Sequence, residues 1–338
     1  MSRPFPRLRT GRAVVASLTV TCTLALSGCA AAAVSTSSPS SGLGTAAPSG
    51  SRSASSTLAA SPAASSPTSS DSSSSTGSGG PTPVAGSGPP QGYSWRSSPG
   101  SAAIQVATTD GGAVSLMWMD PTRLRFRYVP GTQVPEGSPA TPADSNPRSW
   151  VPLMLAAFDS GFKLSDHVGG YYYLGRTVSP LRDGLASMVV HQDGSLSIGV
   201  WGRDLHMTPD TLVVRQNLPP IVLDGVGQTS PSDRLRTWGL PTHQQPQQNR
   251  SGLGRRADGS LVFVYAHDVT ASTLASVLVK AGAQMAIVLD MNLSWPTGFL
   301  YAHTNGQVVG SKINHWATRS PATYLARFKK DFVVVEGA

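Results

Sequence analysis

The sequence predicts an α+β fold, a single domain in which mixed or antiparallel sheets pack against a few helices. Three observations predict this class. Short apolar or alternating runs typical of strands recur from Ile104 onward, and Asp-Gly turns separate some of them. These turns lie at Asp193-Gly194 and Asp258-Gly259, and Asp-Gly is the strongest short-range signal for a hairpin. One further segment has the spacing of a helix with a single apolar face.

That helix opens the segment Thr270–Trp295, the best-defined part of the predicted fold. Its apolar residues recur at intervals of three and four. They are Leu274, Val277, Leu278 and Ala281. Asp268 and Thr270 are candidates for the N-cap, and Gly282 suits the left-handed position that ends a helix. We therefore expect a helix that packs one face against a sheet.

A strand follows the helix and ends abruptly in polar residues. Met285–Leu289 is an unbroken apolar run, as expected of a strand that is covered on both faces. Asp290 and Asn292 come next with Met291 between them, so in an extended chain their side chains point to the same side. In sheets with helices packed on them, ligands bind beyond the carboxyl ends of strands. The pair is therefore a candidate site, although Asp and Asn are equally common in a turn that ends a strand.

The first 28 residues have the composition of a secretory signal peptide. Four arginines precede the apolar segment Ala13–Leu26. They are Arg3, Arg7, Arg9 and Arg12. The sequence Leu26-Ser27-Gly28-Cys29 resembles the lipobox of bacterial lipoproteins, in which the cysteine becomes the lipidated first residue. We therefore expect an acyl anchor such as palmitate on Cys29 and an extracytoplasmic protein tethered to the cell membrane. An ordinary signal peptide or an uncleaved anchor is the alternative.

Residues 29–92 form a predicted disordered linker. The segment is mostly Ser, Ala, Gly, Pro and Thr, and its charged residues are Arg52 and Asp71. Such a composition buries too little apolar surface to offset chain entropy. A flexible coil of this length has a root-mean-square span of about 45 Å, enough to lift a domain off a membrane. The cysteines are Cys22 and Cys29, and the first would be removed with the signal, so no disulfide is predicted.

The remainder is predicted to fold, with N-terminal strands over residues 93–150 and the main part of the domain over residues 151–338. The formal net charge is +8, from 26 Lys and Arg against 18 Asp and Glu, and four of the positive charges belong to the signal arginines. The folded part is therefore only mildly basic. This argues against nucleic acid as a partner and is compatible with an envelope glycan or sugar-phosphate polymer. No later apolar run reaches the roughly 18 residues that a membrane span needs.

Familiar catalytic motifs are absent from the sequence. It has no Gly-x-Ser-x-Gly elbow and no His-Glu-x-x-His, and His267, His303 and His315 lack the spacing of metal ligands. The candidate polar residues that remain are Asp159, Asp224, Arg250, Asp290 and Asn292. Two carboxylates flanking a bond, with an arginine for a phosphate, suit glycosidic chemistry on a phosphorylated sugar. We predict no cofactor and no metal site. Asp and Asn oxygens are compatible with a divalent cation, but no loop spacing supports one.

Four segments together resemble the bacterial phosphodiester glycosidase domain family, whose animal relative is the lysosomal uncovering enzyme. Ala157–Phe162 resembles the family's Asn-Gly-Gly-Phe element, and Asn249–Gly254 resembles its Arg-Thr/Ser-small-x-Gly element. The hairpin at Asp258 with the helix after it resembles a hairpin–helix unit. Leu289–Asn292 stands where many members have Leu-Asp-Gly-Gly-Gly-Ser. The similarity runs from about residue 153 to residue 301, and more weakly to residue 332.

Two departures separate the chain from most members of this family. Asp159 replaces the usual Asn, and Met291-Asn292-Leu293 replaces the glycine triplet. A cell-envelope branch of the family has Leu-Asp-x-Asn followed by Trp, which Trp295 matches. That branch also has a Gly-Val-Trp-Gly-Arg-Asp run, which is present here at Gly199–Asp204. The resemblance therefore implies the fold more firmly than the reaction.

The resemblance implies an enzyme that hydrolyses a sugar-1-phosphodiester in the cell envelope. Asp290 and Asp159 would be the acid/base or nucleophile pair, and Arg250 would bind the phosphate as a bidentate fork. Asn292 would position sugar hydroxyls or a water, and Asp224 is a weaker candidate for binding. The alternative is a non-catalytic envelope lipoprotein that binds a phosphorylated glycan in the same cleft. A cell-wall structural protein without a ligand is the third hypothesis, and the polar residues at strand ends argue against it.

Overall fold

The computed structural model of the protein describes residues 88–338. The predicted signal peptide, the lipidation site Cys29 and most of the predicted linker lie outside the described residues. Across residues 88–338, none of the helical segments has the length and hydropathy needed to cross a membrane.

The described residues form eighteen β-strands, one α-helix and several short 3₁₀ turns. In chain order the strands are β1 (Arg96–Ser98), β2 (Ser101–Thr109), β3 (Val114–Met119), β4 (Leu124–Val129), β5 (Met154–Asp159), β6 (Tyr171–Tyr173), β7 (Arg176–Ser179), β8 (Ala186–His191), β9 (Leu196–Val200), β10 (Thr211–Gln216), β11 (Val222–Leu223), β12 (Val226–Gly227), β13 (Gln248–Arg256), β14 (Leu261–Val269), β15 (Ala283–Met291), β16 (Gly298–Thr304), β17 (Gln307–Lys312) and β18 (Phe332–Gly337). The helix, α1 (Ala271–Lys280), lies between β14 and β15.

The strands form three sheets, and within the described range these strands pair with one another only in the antiparallel direction. Sheet I has the order β1-β2-β3-β14-β13-β15-β11-β12. Sheet II has the order β7-β6-β10-β8-β9, and sheet III has the order β17-β16-β5-β18-β4. Strand β3 pairs with β14, and β4 pairs with β18. The segments before and after residue 150 therefore share the same sheets.

The predicted α+β class is wrong. Residues 88–338 contain a single α-helix, so the protein is β-rich and its sheets do not pack against several helices. The physical reason is that the buried faces of the sheets cover one another. Phe263 of sheet I, Met188 of sheet II and Phe158 of sheet III belong to one apolar core that the three sheets enclose. Helix α1 packs on the other face of sheet I, where Leu278 and Val288 share a second apolar cluster.

Helix α1 and strand β15 confirm the local prediction for this part of the chain. Thr270 is the N-cap, and its Oγ1 accepts a hydrogen bond from the backbone N–H of Thr273 at 3.2 Å. Gly282 follows the helix with a φ of +85°, a conformation that favours glycine. On the buried face, Leu278 lies over β13 at Gly254, where a Cβ would be 3.3 Å from Leu278 Cδ2. The helix therefore sits close to the sheet because the strand beneath it has glycine at this point.

Candidate functional site

The candidate site lies where the three sheets meet. Strands β13 and β15 of sheet I, β10 of sheet II, β5 of sheet III and the start of β18 each bring a polar side chain to this point. We call these side chains the junction cluster, and each of the residues is at most 3% exposed. They are Asp159, Arg215, Ser251, Asp290, Lys330 and Asp331. Buried charges are costly unless they are paired or hydrogen-bonded, so their partners decide what the cluster can do.

A β-bulge in β15 turns Asp290 into this junction. Ser251 of β13 pairs with Asp290, but the next residue, Gly252, pairs with Val288, so Leu289 is the extra residue. Gly252 faces α1, and Ser251 therefore faces the core enclosed by the three sheets. If the strand alternated regularly from Val288 through Leu289, Asp290 would lie on the helix side together with Val288. The bulge thus sets the direction of the Asp290 side chain.

Asp159 ends β5, and both oxygens of its carboxyl group are hydrogen-bonded. Oδ2 accepts from the Ser251 hydroxyl at 2.6 Å, and Oδ1 accepts from the backbone N–H of Thr297 at 2.8 Å. Burial raises the pKa of this carboxyl group to about 6, against the lowering effect of both hydrogen bonds and of the Lys330 charge. Asp159 therefore titrates near pH 6, which is close enough to neutral pH for a general acid or base.

Asp290 forms a buried ion pair with Lys330. Its Oδ2 contacts the lysine Nζ, and its Oδ1 accepts a hydrogen bond from the backbone N–H of Met291 at 2.7 Å. Burial lowers the pKa of Lys330 to about 8, and the carboxylates of Asp331 and Asp159 oppose this shift. The direct partner of Asp290 is thus a cation, whereas the direct partners of Asp159 are uncharged.

The hydroxyl group of Ser251 links the carboxyl group of Asp159 to the backbone of Asp290. It donates to Asp159, and the backbone N–H of Asp290 donates to it at 3.1 Å. The structure therefore brings together Asp159 and Asp290, the two predicted catalytic residues, although they belong to different sheets and lie far apart in the sequence.

Arg215 and Asp331 form a second ion pair at the same junction. Arg215 Nε donates to Asp331 Oδ2 at 3.0 Å, and the Tyr128 hydroxyl donates to the same oxygen at 3.0 Å. The Arg215 guanidinium also donates to the carbonyl oxygens of Phe162 and Gln216. Asp331 Oδ1 is buried without a hydrogen-bond partner in the described structure. This ion pair joins sheet II to sheet III.

Arg250 points away from its neighbour Ser251, and its guanidinium donates hydrogen bonds to backbone carbonyl groups. Nε, Nη1 and Nη2 donate to the carbonyl oxygens of Val269, Trp238 and Pro246 at 3.1, 3.1 and 3.2 Å. Burial lowers the pKa of this guanidinium to about 10. The structure therefore places Arg250 as a tie between loops and does not bring it to the two acids.

Asn292 and Asp224 also have partners of their own. Asn292 Oδ1 accepts hydrogen bonds from the backbone N–H groups of Ser294 and Trp295, both at 2.7 Å, so this side chain closes the turn after β15. Asp224 lies in the turn between β11 and β12 with a φ of +51°, and its exposed carboxylate pairs with Arg203 at 3.2 Å. Neither residue contributes a side chain to the junction cluster.

Sequence reasoning missed Arg215, Lys330 and Asp331 as members of the site. A signal was present for the last two, because Lys329-Lys330-Asp331 is a charged triplet directly before the apolar run of β18. Arg215 follows two valines in a strand that is otherwise mostly apolar, and a charged residue in such a strand needs a buried partner. Arg215 lies within a strand, and Lys330 and Asp331 lie directly before one, whereas the sequence pattern favours sites where strands end.

The junction cluster has the groups for acid–base chemistry next to fixed positive charge. It pairs two carboxyl groups of unequal environment, the arrangement that assigns separate acid and base roles. Trp295 is half-buried, and the centroid of its ring lies 5.2 Å from the Lys330 ammonium. Over residues 88–338, no group of three or more His, Cys, Asp or Glu side chains is arranged to hold a metal ion.

Comparison with known proteins gives distant structural likenesses. No family model matches the chain, and no curated protein matches it. The chain is similar to the zebrafish N-acetylglucosamine-1-phosphodiester α-N-acetylglucosaminidase catalytic domain auto-inhibited by its pro-peptide, at 15% identity and a TM-score of 0.42, covering 72% of this chain and 88% of that one. It is also similar to a hypothetical protein from Synechocystis, at 12% identity and a TM-score of 0.37, covering 73% of this chain and 62% of that one. Likenesses this distant assign no activity to this chain.

Proposed function

We propose that the protein hydrolyses a sugar-1-phosphodiester. The bond between the anomeric carbon and the phosphate oxygen breaks, water supplies the new hydroxyl group of the sugar, and the second proton of that water goes to the released phosphomonoester. The observation that supports the proposal is the position of the two acids around Ser251: the Asp159 carboxyl group accepts from its hydroxyl, the backbone N–H of Asp290 donates to the same hydroxyl, and the Asp290 carboxylate contacts Lys330. Glycosidic hydrolysis uses two carboxyl groups in different protonation states beside one bond.

The two acids take different roles in this proposal. Asp290 faces the Lys330 ammonium, which favours the carboxylate form, so it acts as the nucleophile or as the base that activates water. Asp159, whose pKa is raised by burial to about 6, holds the proton that passes to the leaving phosphate oxygen. The Lys330 charge offsets the negative charge that develops as the bond breaks.

Two of the other predicted residues, Arg250 and Asn292, have supporting roles. Arg250 fastens the loops around β13 through three carbonyl groups, and Asn292 closes the turn that leads to Trp295. Asp224 has no part in the reaction, because its carboxylate is exposed and paired with Arg203.

Release of free reducing sugar tests the proposal. The full chain is incubated with a panel of sugar-1-phosphodiesters that differ in the sugar. We expect Asp290→Asn to lower kcat by about a hundredfold to ten-thousandfold, because the base or nucleophile is lost. Asp224→Asn is the control and should keep kcat within about twofold of the wild type, since surface changes away from a site have small effects.

A second variant is needed because Asp290→Asn leaves the Lys330 ammonium buried without its partner, which destabilises the fold. Asp290→Asn/Lys330→Met removes both charges and separates loss of activity from loss of structure. Turnover by a folded Asp290 variant at the wild-type rate would rule out this assignment.

A non-catalytic envelope protein that binds a phosphorylated glycan is the second candidate function. It is favoured by the ion pair between Asp290 and Lys330, which occupies the carboxylate in a region at most 3% exposed. Saturable binding of the same diesters by the full chain, without release of sugar, would select this candidate over hydrolysis.

We further propose that the protein acts outside the cytoplasmic membrane, anchored by lipid on Cys29. The support is the sequence of basic, apolar and lipobox segments at residues 1–29. In a bacterium that processes lipoproteins, the full chain should partition into the detergent phase. Cys29→Ser should move it to the aqueous phase, and Cys22→Ser is the matched control that should not. Retention of Cys29→Ser in the detergent phase would contradict the anchor.

A further inference from the structure

Three cationic side chains surround Trp295. The guanidinium carbon of Arg319 lies 4.3 Å from the centroid of the indole ring, the ammonium of Lys329 lies 4.9 Å away and that of Lys330 lies 5.2 Å away. Arg319 is also 5.1 Å from the ring of Phe328. Any two of the cations are therefore at most about 10 Å apart, a distance over which charges still repel one another at physiological ionic strength.

Two of these cations have no anionic partner in the described part of the chain. Lys330 is paired with Asp290, but no ion pair between residues 88 and 338 includes Arg319 or Lys329. Arg319 Nε is buried and has no hydrogen-bond partner there. A charged donor that is buried without an acceptor is costly, and an oxygen atom of a bound anion would remove that cost.

Stacking on the indole ring does not by itself account for this arrangement. A single cation over the face of a tryptophan is a common stabilising contact. Here three cations share one ring, and the repulsion among them opposes the attraction of each. Lys329 is exposed and is free to turn toward solvent, yet it lies over Trp295. Positive groups that converge in this way, two of them without a carboxylate partner within residues 88–338, are suited to an anionic ligand.

The cationic group lies directly beside the two acids. Lys330 belongs to both, since its ammonium contacts Asp290 and also lies 5.2 Å from the Trp295 ring. Trp295 in turn is held by the turn that Asn292 closes. An anion bound by Arg319 and Lys329 would therefore lie beside the same indole ring as Lys330, the partner of Asp290.

We propose that Arg319, Lys329 and Trp295 form the subsite that binds the phosphate group of the substrate. The identity of the ligand rests on the proposed function. The planar guanidinium would donate to phosphate oxygens in the bidentate manner, and the Lys329 ammonium would add a point charge. This subsite takes the place of the predicted phosphate contact at Arg250, whose N–H groups are occupied by carbonyl oxygens.

Binding of phosphate compounds to the full chain tests this subsite apart from catalysis. Inorganic phosphate and methyl phosphate are titrated calorimetrically at constant ionic strength. We expect Arg319→Gln/Lys329→Gln to bind both at least about tenfold more weakly, because charge-assisted hydrogen bonds are lost. Arg123→Gln/Arg176→Gln is the charge-matched control, since both arginines are exposed and neither side chain is hydrogen-bonded within residues 88–338. Its affinity should stay within about twofold of the wild type, because exposed charges contribute little.

The outcomes separate this inference from the hydrolase proposal. Equal affinity of the wild type and the Arg319→Gln/Lys329→Gln variant overturns the subsite, and so does failure of the wild type to bind either compound. If diesters are cleaved, the same variant should raise KM about tenfold and change kcat less than about threefold, and a loss confined to kcat counts against a binding role. Phosphate binding that needs these residues without cleavage of any diester keeps the subsite and removes the hydrolase.

Discussion

Burial and hydrogen bonding shift the pKa of Asp159 in opposite directions. For Asp159, two hydrogen bonds and the Lys330 charge favour the carboxylate, yet burial outweighs them and raises the pKa to about 6. Ion-pair networks that are purely structural also shift pKa values, so this shift alone does not make the residue catalytic. The shift matters because of the neighbouring acid: the backbone N–H of Asp290 donates to the serine hydroxyl that Asp159 accepts from, and the Asp290 carboxylate pairs with Lys330.

The raised pKa of Asp159 makes a prediction about stability. The ordinary pKa of an aspartate is 3.8, so between pH 3.8 and about pH 6 the folded protein holds a proton that the unfolded chain releases. The free energy of unfolding therefore falls as the pH rises through this window. The gap between the two pKa values corresponds to about 3 kcal/mol. Relative to Asp159→Asn, the wild type should lose about this amount between pH 4 and pH 7.

Urea unfolding at several pH values measures this difference. Asp224→Asn is the control, because that carboxylate is exposed and belongs to a surface ion pair. A constant difference between the wild type and Asp159→Asn from pH 4 to pH 7 would contradict the raised pKa.

The two acids can be found from the sequence because each ends an apolar run at a strand terminus. The directions in which the neighbouring side chains point cannot be found from the sequence. The bulge at Leu289 depends on how β13 and β15 pair, and no local pattern reveals it. Alternation predicts Asn292 beside Asp290 and the family resemblance predicts Arg250 there, whereas the structure turns Arg250 to backbone carbonyl groups and uses Asn292 to close a turn. Lys330 and Arg215 come from other sheets, so their presence depends on the whole topology.

At the level of secondary-structure elements, local periodicity predicts α1 and β15 well, because cap, apolar face and terminal glycine all lie within one short segment. Local periodicity does not predict the fold class. A strand that is apolar on both faces needs cover, and the pattern does not say whether a helix or another sheet provides it. In this protein sheets II and III cover the inner face of sheet I, and α1 covers the other face.

The packing of α1 and β15 against β13 depends on glycine in β13. A Cβ at Gly254 would lie 2.8 Å from the Cβ of Ala283 on the neighbouring strand. Gly254→Ala should therefore lower the free energy of unfolding by about 1–3 kcal/mol through overpacking. Ala283→Gly removes the opposing methyl group, so Gly254→Ala/Ala283→Gly should recover part of the loss.

Urea unfolding of these variants includes Gly227→Ala as the control. Its new Cβ would lie 3.4 Å from the Cβ of Ala275, an ordinary contact, so the expected loss is below about 1 kcal/mol. Equal losses for Gly227→Ala and Gly254→Ala would show that the close approach to Ala283 is not what matters.

In the molecule as a whole, three sheets close around one core and the junction cluster lies at their meeting point. Ser251 and Asp159 join sheet I to sheet III, and Arg215 and Asp331 join sheet II to sheet III across 116 positions of the sequence. A buried ion pair contributes little net stability compared with an apolar pair, but removal of one partner leaves a buried charge. The junction is therefore costly to alter one residue at a time, whatever its role in catalysis.

The cost of removing one partner can be tested by comparing two ion pairs, the buried pair between sheets II and III and a more exposed pair within sheet III. Arg215 and Asp331 have side chains 1% and 0% exposed, whereas Arg127 and Glu336 have side chains 42% and 10% exposed. Arg215→Met should lower the free energy of unfolding by about 3–5 kcal/mol, because the Asp331 carboxylate stays buried without its cation. Arg127→Met should cost less than about 1 kcal/mol, because solvent screens the half-exposed pair. Arg215→Met/Asp331→Leu should recover most of the loss by removing both charges. If urea unfolding finds Arg215→Met no more costly than Arg127→Met, the Arg215–Asp331 pair does not hold sheets II and III together.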